Sequence, residues 1–143
     1  MGRVKLVRET RRPPRRGILL DSHALVWWLV GDDRMPPRLR RRLADLSAPV
    51  FVSAATAWEI ATKVRLGKFL AAAPIVERLP ELLAEQGFRE LPISLAAARL
   101  AGMIAAAHRD PFDRMLAAQA TLEELDLVSA DPVFPSLGVQ AVW

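Results

Sequence analysis

The chain has 143 residues, of which 52% are apolar and 25% are charged, and it contains 2 histidines and no cysteine. A chain of this length buries roughly two thirds of its unfolded surface in one core, so we expect a single domain. The absence of cysteine excludes disulfide scaffolds and thiolate zinc sites. A metal ion, if one binds, would have to be a hard cation held by carboxylate oxygens.

The net charge of +4 is unevenly distributed along the chain. Residues 1 to 16 have a net charge of +6, whereas the other 127 residues have a net charge of −2. This basic extension could be a phosphate-binding arm, a mitochondrial-type presequence or translated sequence without a role. We expect residues 1 to 16 to be disordered and residues 17 to 143 to form the folded domain. Since no apolar run reaches the ~20 residues of a membrane span, we expect a cytoplasmic protein with no membrane contact.

Taken in chain order, short apolar runs alternate with segments of helical periodicity. The apolar runs predict strands at residues 17–20, 50–52, 91–93, 127–130 and 139–143. Helices are predicted at 24–30, from 36 to near 47–49, from 53 to 67, at 74–86, at 94–107 and from 111 onwards. This alternation predicts an α/β fold, a three-layer sandwich with helices on both faces of a mostly parallel sheet of four to five strands.

Carboxylates follow the predicted strands or begin the helices after them. Asp21 directly follows the first strand, Asp131 follows a later one, and Glu59 lies about six residues past the second. Asp110 and Asp113 lie at the start of another helix. Ligands of open parallel sheets bind at the carboxyl ends of the strands, so we expect these acids to share one rim. Two carboxylates about 4 Å apart repel by about 4 kcal/mol at an effective dielectric near 20, so such a cluster needs a cation.

Each acid also has a purely structural interpretation that the sequence leaves open. Helix capping and the helix dipole account for Asp110 and Asp113. Asp21 could be an N-cap, and Asp131 could begin an Asp-Pro turn. Glu59 lies opposite the apolar stripe of its helix, which is typical of a solvated face. The coincidence of all these acids at one rim favours a site for Mg²⁺ or Mn²⁺, of the kind that hydrolyses phosphodiesters.

Four segments resemble the four motifs of PIN-domain proteins, and most of all those of VapC-like toxins from bacterial type II toxin-antitoxin pairs. The segments are residues 19–25 (LLDSHAL), 53–60 (SAATAWEI), 108–117 (HRDPFDRMLA) and 128–132 (VSADP). Their order and spacing agree with the family over residues 17 to 143. The basic extension lies outside the family pattern, and Ser129 stands where the family more often has Thr.

The resemblance implies a metal-dependent endoribonuclease that leaves a 5′-phosphate and a 3′-hydroxyl. The catalytic acids that it implies, as ligands of Mg²⁺ or Mn²⁺, are Asp21, Glu59, Asp113 and Asp131, with Asp110 as a further acid at the same helix start. Ser22 and Ser129 occupy the positions of hydroxyl residues that orient a carboxylate. The resemblance also implies an RNA substrate, a cognate antitoxin protein and a homodimer.

Several other residues have two interpretations. The basic face formed by Arg38, Arg41 and Arg42 could contact RNA phosphates or could be an ordinary solvated helix face. His23 and His108 are expected to be hydrogen-bonded or solvated and not to be metal ligands. Trp27 and Trp28 are adjacent and point in different directions, so we expect at least one of them to meet a partner.

Two other kinds of function remain open from the sequence. A receiver-like phosphoacceptor domain also gathers aspartates around Mg²⁺, but it requires a lysine after the last strand, and the lysines here are Lys5, Lys63 and Lys68. A PIN-like domain that has lost catalysis could serve as an RNA- or protein-binding module, although the presence of all four acids argues against it. Hydrolysis by a serine nucleophile is disfavoured because the chain has no Gly-x-Ser-x-Gly elbow.

Overall fold

The computed structural model describes residues 16 to 143, and the predictions for residues 1 to 15 lie outside this part of the chain. Its strands are β1 (Ile18–Leu20), β2 (Val50–Ser53), β3 (Arg89–Leu91), β4 (Asp126–Val128) and β5 (Ala141–Val142). All neighbouring strands are parallel, in the order β3-β2-β1-β4-β5. The predicted parallel α/β sheet is therefore confirmed, with five strands in the described residues.

Helices cover both faces of this sheet. They are α1 (Ser22–Val30), α2 (Pro37–Ala44), α3 (Ala54–Arg65), α4 (Ala73–Glu77), α5 (Leu79–Gln86), α6 (Leu95–Met103) and α7 (Pro111–Leu122), with 3-10 turns at Leu70–Ala72 and Phe134–Leu137. Successive side chains of a strand point to opposite faces. In β1, Ile18 and Leu20 join the core beneath α1 to α5, whereas Leu19 joins the core beneath α7. The molecule is thus the predicted three-layer sandwich.

Several predicted boundaries were wrong; the second helix, for example, ends at Ala44 and not near residues 47–49. The single helix predicted at 74–86 is two helices separated at Arg78, because Pro80 has no N–H to continue the first helix and instead lies in the first turn of α5. The third strand ends at Leu91, directly before Pro92, which cannot donate to the ladder. Helix α6 ends at Met103 and not at residue 107, since Ile104 has ψ 123°, outside the helical region.

The strand order reverses between β1 and β4. From β1 the chain proceeds to β2 and β3 on one side, and β4 and β5 lie on the other. A crevice at the carboxyl ends of β1 and β4 is the usual ligand position in such sheets. Asp21 lies directly at this crevice, where its backbone N–H donates to the carbonyl of Val128 at 3.1 Å. Within residues 16 to 143, none of the helices combines the length and apolarity needed to cross a bilayer.

Candidate metal centre

Asp21 combines a capping role with burial of its charge. Its Oδ1 accepts the N–H of Ala24 at 2.8 Å, so it is the N-cap of α1. The side chain is nevertheless buried, and this burial raises the pKa of Asp21, while hydrogen bonds from Ser129 and Ala24 oppose the rise. The cap alone would be satisfied by a surface aspartate. The buried position of the carboxylate therefore favours a nearby cation.

Glu59 is buried, which excludes the alternative interpretation that it belongs to a solvated helix face. It lies on α3 with 4% exposure, on a side of the helix that tertiary packing covers, and α3 packs against both α1 and α7. Its Oε2 accepts a hydrogen bond from Nζ of Lys63, one turn further along the helix, at 2.8 Å. The Glu59 charge also raises the pKa of both Asp21 and Asp113, which places it near each of them.

Asp113 lies in the first turn of α7 and is largely covered by its surroundings. Burial raises the pKa of Asp113 to about 6. The hydrogen bond between His108 Nε2 and Asp113 Oδ2, 2.8 Å long, opposes this rise. The charges of Asp110, Glu59 and Asp131 add to it, in that order. Asp113 is therefore close to Asp110 at the start of its own helix and to acids from two other segments of the chain.

Asp110 is the N-cap of α7, as the sequence predicts. Its Oδ1 accepts the N–H of Phe112 at 2.8 Å and that of Asp113 at 3.3 Å. Capping does not exclude a second role, because one ligand atom from each of His108, Asp110 and Asp113 lies within 4.8 Å of the others. Such a separation allows one ion to contact all three residues.

Ser129 connects the two acids on either side of the β1–β4 crevice. Its hydroxyl accepts the backbone N–H of Asp131 at 3.0 Å and also lowers the pKa of Asp21. Asp131 is exposed, and its Oδ1 accepts the N–H of Val133 at 3.0 Å, so it begins the predicted turn. Ser22 is buried as the first residue of α1. The structure thus brings Asp21, Glu59, Asp113 and Asp131 to one rim of the sheet.

The model of the PIN domain family matches residues 18–139 of this chain. The chain belongs to the PIN-domain family. This membership removes the receiver-like alternative, and it agrees with the parallel sheet and the acidic rim described above. Comparison with curated protein sequences gives no match.

Solved structures similar to this PIN domain cover most of its length. FitAcB from Neisseria gonorrhoeae has a TM-score of 0.62 and 25% identity over 88% of this chain and 96% of its own. VapBC2 from Rickettsia felis, bound to a DNA fragment from its promoter, has a TM-score of 0.59 and 14% identity over 83% and 91%. VapC20 from Mycobacterium tuberculosis, a sarcin-ricin loop cleaving toxin, has a TM-score of 0.59 and 16% identity over 87% and 98%.

A positioning residue of this PIN domain that the sequence analysis missed is Arg114. Its guanidinium donates to five backbone carbonyls between the end of α6 and the start of α7, those of Ala101, Gly102, Ile104, Ala106 and His108, at 2.6 to 3.3 Å. These bonds fix the loop that carries His108 and Asp110. The sequence signal was weak, since it consists of one arginine next to Asp113 in a chain rich in arginine.

Gln119 is a second missed residue, buried in the alanine-rich helix α7 of the PIN domain. Its Oε1 accepts the hydroxyl of Ser53 at 2.6 Å, and its Nε2 donates to the carbonyl of Pro92 at 3.2 Å. It therefore ties α7 to the ends of β2 and β3. The sequence held a signal for this role, namely a glutamine among small apolar residues of a helix. A polar side chain buried in such a helix needs hydrogen-bond partners.

The basic face of the PIN domain lies at the opposite rim. Arg38, Arg41 and Arg42 line a groove with Asp126, and Arg42 forms an ion pair with that aspartate. Asp126 is the first residue of β4, whereas the acids follow the strand ends. A strand of three residues spans about 10 Å, so this groove is well separated from the acidic rim. An RNA contact of these arginines stays a prediction, and the geometry limits it to a phosphate remote from the acids.

Proposed function

We propose that this PIN domain is a metal-dependent endoribonuclease and acts as the toxin of a toxin-antitoxin pair. The observation that carries the proposal is the convergence of four carboxylates at the strand-order reversal, two of which have raised pKa values. Burial and the neighbouring charges disfavour the ionised form of these carboxylates. A bound cation stabilises that ionised form. The similarity to VapC20, a sarcin-ricin loop cleaving toxin, supports the choice of substrate.

The residues at this rim fit a hard divalent cation. The donors are carboxylate oxygens from Asp21, Glu59, Asp113 and Asp131, with Asp110 and His108 beside Asp113. Such a set, dominated by oxygen, favours Mg²⁺ or Mn²⁺ over thiophilic metals. When bound, a cation of this kind supplies an activated water and stabilises the leaving oxygen of a phosphodiester.

The hydroxyl of Thr56 gives independent support for a polar occupant. Thr56 lies one turn before Glu59 on α3, so the two share a side of the helix. The hydroxyl is fully buried and has no hydrogen-bond partner among the residues that the structure describes. A buried polar group without a partner costs about 1–3 kcal/mol, which a water or ligand beside Glu59 would offset.

Each residue of the rim has a distinct task in this proposal. Asp21 and Asp113 would hold the cation through their carboxylate oxygens. Ser129 keeps Asp21 oriented through its hydroxyl, and Lys63 compensates the buried charge of Glu59. Asp131 is exposed at the mouth of the site, where its carboxylate can accept a proton from the attacking water.

The variant Asp21→Asn tests the proposed function. Asparagine still accepts the N–H of Ala24, and it does not carry the buried charge, so we expect an unchanged fold and a melting temperature at least equal to that of the unaltered protein. Mn²⁺-dependent cleavage of RNA should be abolished, and calorimetry should show the loss of Mn²⁺ uptake. The matched control is Glu77→Gln, which removes an exposed carboxylate on α4 and should cleave normally. Undiminished cleavage by Asp21→Asn, or no Mn²⁺ uptake by the unaltered protein, would reject the proposal.

The toxin assignment adds two protein partners. We propose a cognate antitoxin that suppresses the nuclease and a second copy of the chain as a homodimer, acting in the cytoplasm. The similarity to VapBC2, which was solved on a DNA fragment from its promoter, supports the first of these partners. An antitoxin from a neighbouring reading frame should co-purify with this chain and inhibit RNA cleavage. Sedimentation of the isolated chain tests the dimer, and a monomer at micromolar concentration would reject it.

A further inference from the structure

A cleft of about 450 Å³ adjoins the acidic rim. Its lining includes the acids Asp21 and Asp131 together with His23, Trp27 and Arg34. This volume lies within the range of about 300–1,000 Å³ that small ligands occupy. The cleft therefore has room for one nucleotide directly beside the acids.

Arg34 presents a fixed flat surface to this cleft. Its guanidinium carbon lies 4.7 Å from the centroid of the Trp27 ring. Its Nε and one terminal nitrogen donate to the two oxygens of Asp32 at 3.0 and 2.8 Å. The guanidinium is thus held over the indole and along one edge, while the side chain remains 66% exposed. Little side-chain entropy is left to lose when a planar ligand covers the exposed face.

The aromatic side chains next to Arg34 are also held in place. His23 is exposed, stacks on Phe69 at 5.5 Å and 29°, and lies tilted against Trp27 at 5.6 Å. Trp27 meets Trp143 edge-on at 5.4 Å. We expected a partner to cover Trp27 or Trp28. Trp28 instead packs near Phe88 within the same chain, so the fold does not need a partner to cover it. The cleft wall is a rigid platform of rings and one guanidinium.

We propose that His23, Trp27 and Arg34 form a subsite that stacks the unpaired base of the nucleotide next to the scissile phosphate. This inference rests on the proposed ribonuclease function and deepens it by naming the residues that would hold a base beside the acids. Unpaired RNA bases stack on aromatic rings and on arginine planes, whereas bases inside a duplex expose neither face.

The geometry favours this subsite over the basic groove at the other rim. Arg34 lines the same cleft as Asp21, whereas Arg42 contacts Asp126 at the amino end of the strands. A base stacked on Arg34 has its own phosphate within one nucleotide of the acids. The subsite therefore sets the position of cleavage, and the opposite groove does not.

Binding without metal separates the subsite from catalysis. Fluorescence anisotropy in EDTA would compare a labelled 12-nucleotide single-stranded RNA with a blunt RNA duplex for the unaltered protein, Arg34→Lys, Arg34→Gln and the control Arg78→Gln. Arg78 is an exposed arginine that pairs with Glu81 and Glu85 on α5. We expect Arg34→Gln to weaken single-strand binding between about fivefold and a hundredfold, and the control to change it less than twofold.

Arg34→Lys distinguishes stacking from charge. Lysine keeps the charge but lacks the plane, so we expect it to leave the salt dependence of binding unchanged and still to lose most of the affinity. With Mn²⁺ present, KM should rise and the preferred cleavage position should change, while kcat stays within about twofold. Full affinity of Arg34→Lys, or equal binding of duplex and single strand, would overturn the subsite.

The outcomes also distinguish the subsite from the proposed function. If the unaltered protein neither binds nor cleaves RNA, the ribonuclease proposal fails. If it cleaves RNA and both Arg34 variants bind and cleave as it does, only the stacking subsite fails. Unchanged melting temperatures of the variants exclude a folding defect as the cause of lost binding.

Discussion

Nε2 of His108 lies 2.8 Å from Oδ2 of Asp113, at the junction between the α6–α7 loop and the first turn of α7. This hydrogen bond stabilises the charged carboxylate against its burial. Because carboxylate ligands bind metal in the deprotonated form, the histidine makes Asp113 available to a cation at lower pH. The loop residue thus adjusts the pH range of the proposed metal centre.

Replacing His108 by alanine should raise the pKa of Asp113 above about 6. The pH at which Mn²⁺ affinity falls by half should then move upwards, and calorimetric titrations between pH 5 and 8 would measure the shift. Arg109→Ala, a change at the neighbouring exposed residue, should leave the profile in place. An equal loss of affinity at every pH would instead make His108 a direct ligand.

The metal-free protein should lose stability as the pH rises through 6. The pKa of Asp113 is about 6 in the folded protein and 3.8 in the reference state, so the folded state binds the proton more tightly. The corresponding stability is fully present below about pH 4 and is lost as the pH rises through about 6. Asparagine does not titrate. At pH 7.5 the free energy of unfolding of Asp113→Asn should therefore be about 1–3 kcal/mol higher than that of the unaltered protein.

Urea unfolding in EDTA at pH 4 and pH 7.5 measures this difference. The advantage of Asp113→Asn should be small at pH 4 and should grow towards pH 7.5, while Mn²⁺ should stabilise only the unaltered protein. A difference that does not vary with pH would contradict the raised pKa of Asp113.

Asp110→Asn separates capping from metal binding. Asparagine caps a helix about as well as aspartate, so the melting temperature should hold, whereas Asp110→Ala should cost about 1 kcal/mol. Because Asp110 lies within reach of the same ion as Asp113, we expect Asp110→Asn to weaken Mn²⁺ binding about tenfold. An unchanged affinity for Mn²⁺ in calorimetry would show that Asp110 acts only as the helix cap.

Lys63→Gln should destabilise the metal-free protein, because it leaves the buried charge of Glu59 without its cation. A loss of about 1–3 kcal/mol is expected, and Mn²⁺ should restore more stability than it adds to the unaltered protein. Thermal unfolding with and without Mn²⁺ provides the measurement. Lys68→Gln is the exposed control, and the double variant Glu59→Gln with Lys63→Gln should recover the metal-free stability. If the double variant does not recover the stability of the metal-free protein, compensation of the Glu59 charge is not the role of Lys63.

Arg114→Lys should disorder the loop between α6 and α7. Lysine cannot reach five carbonyls at once, so we expect a loss of about 2–4 kcal/mol and weaker Mn²⁺ binding. Hydrogen exchange of the amides of residues 104–108 would locate the effect. Arg109→Lys, at the exposed neighbouring arginine, should change neither quantity. Protected loop amides in Arg114→Lys would exclude the positioning role.

Local chemistry explains why many elements were predictable. Ser53 and Ser94 cap α3 and α6 as their positions predict, since capping involves residues only two or three apart. The apolar run at residues 18–20 forms β1 because a strand buried on both faces needs no polar residue. Wrong boundaries, by contrast, include Arg78, which precedes Pro80 in the first turn of α5, and Ile104, whose carbonyl accepts a hydrogen bond from the distant Arg114.

The sequence by itself determined the order of strands and helices, the caps and the places of the acids after the strands, because each depends on neighbours within one turn or one strand. Only the tertiary structure decided that Glu59 is buried against its neighbours, that Arg114 fixes the α6–α7 loop, and that Arg34 lies beside the acids while Arg42 lies at the far rim. Those relationships join residues from different crossovers of a parallel sheet. Which crossovers become neighbours is set by the burial of whole helix faces, and no short stretch of sequence encodes that burial.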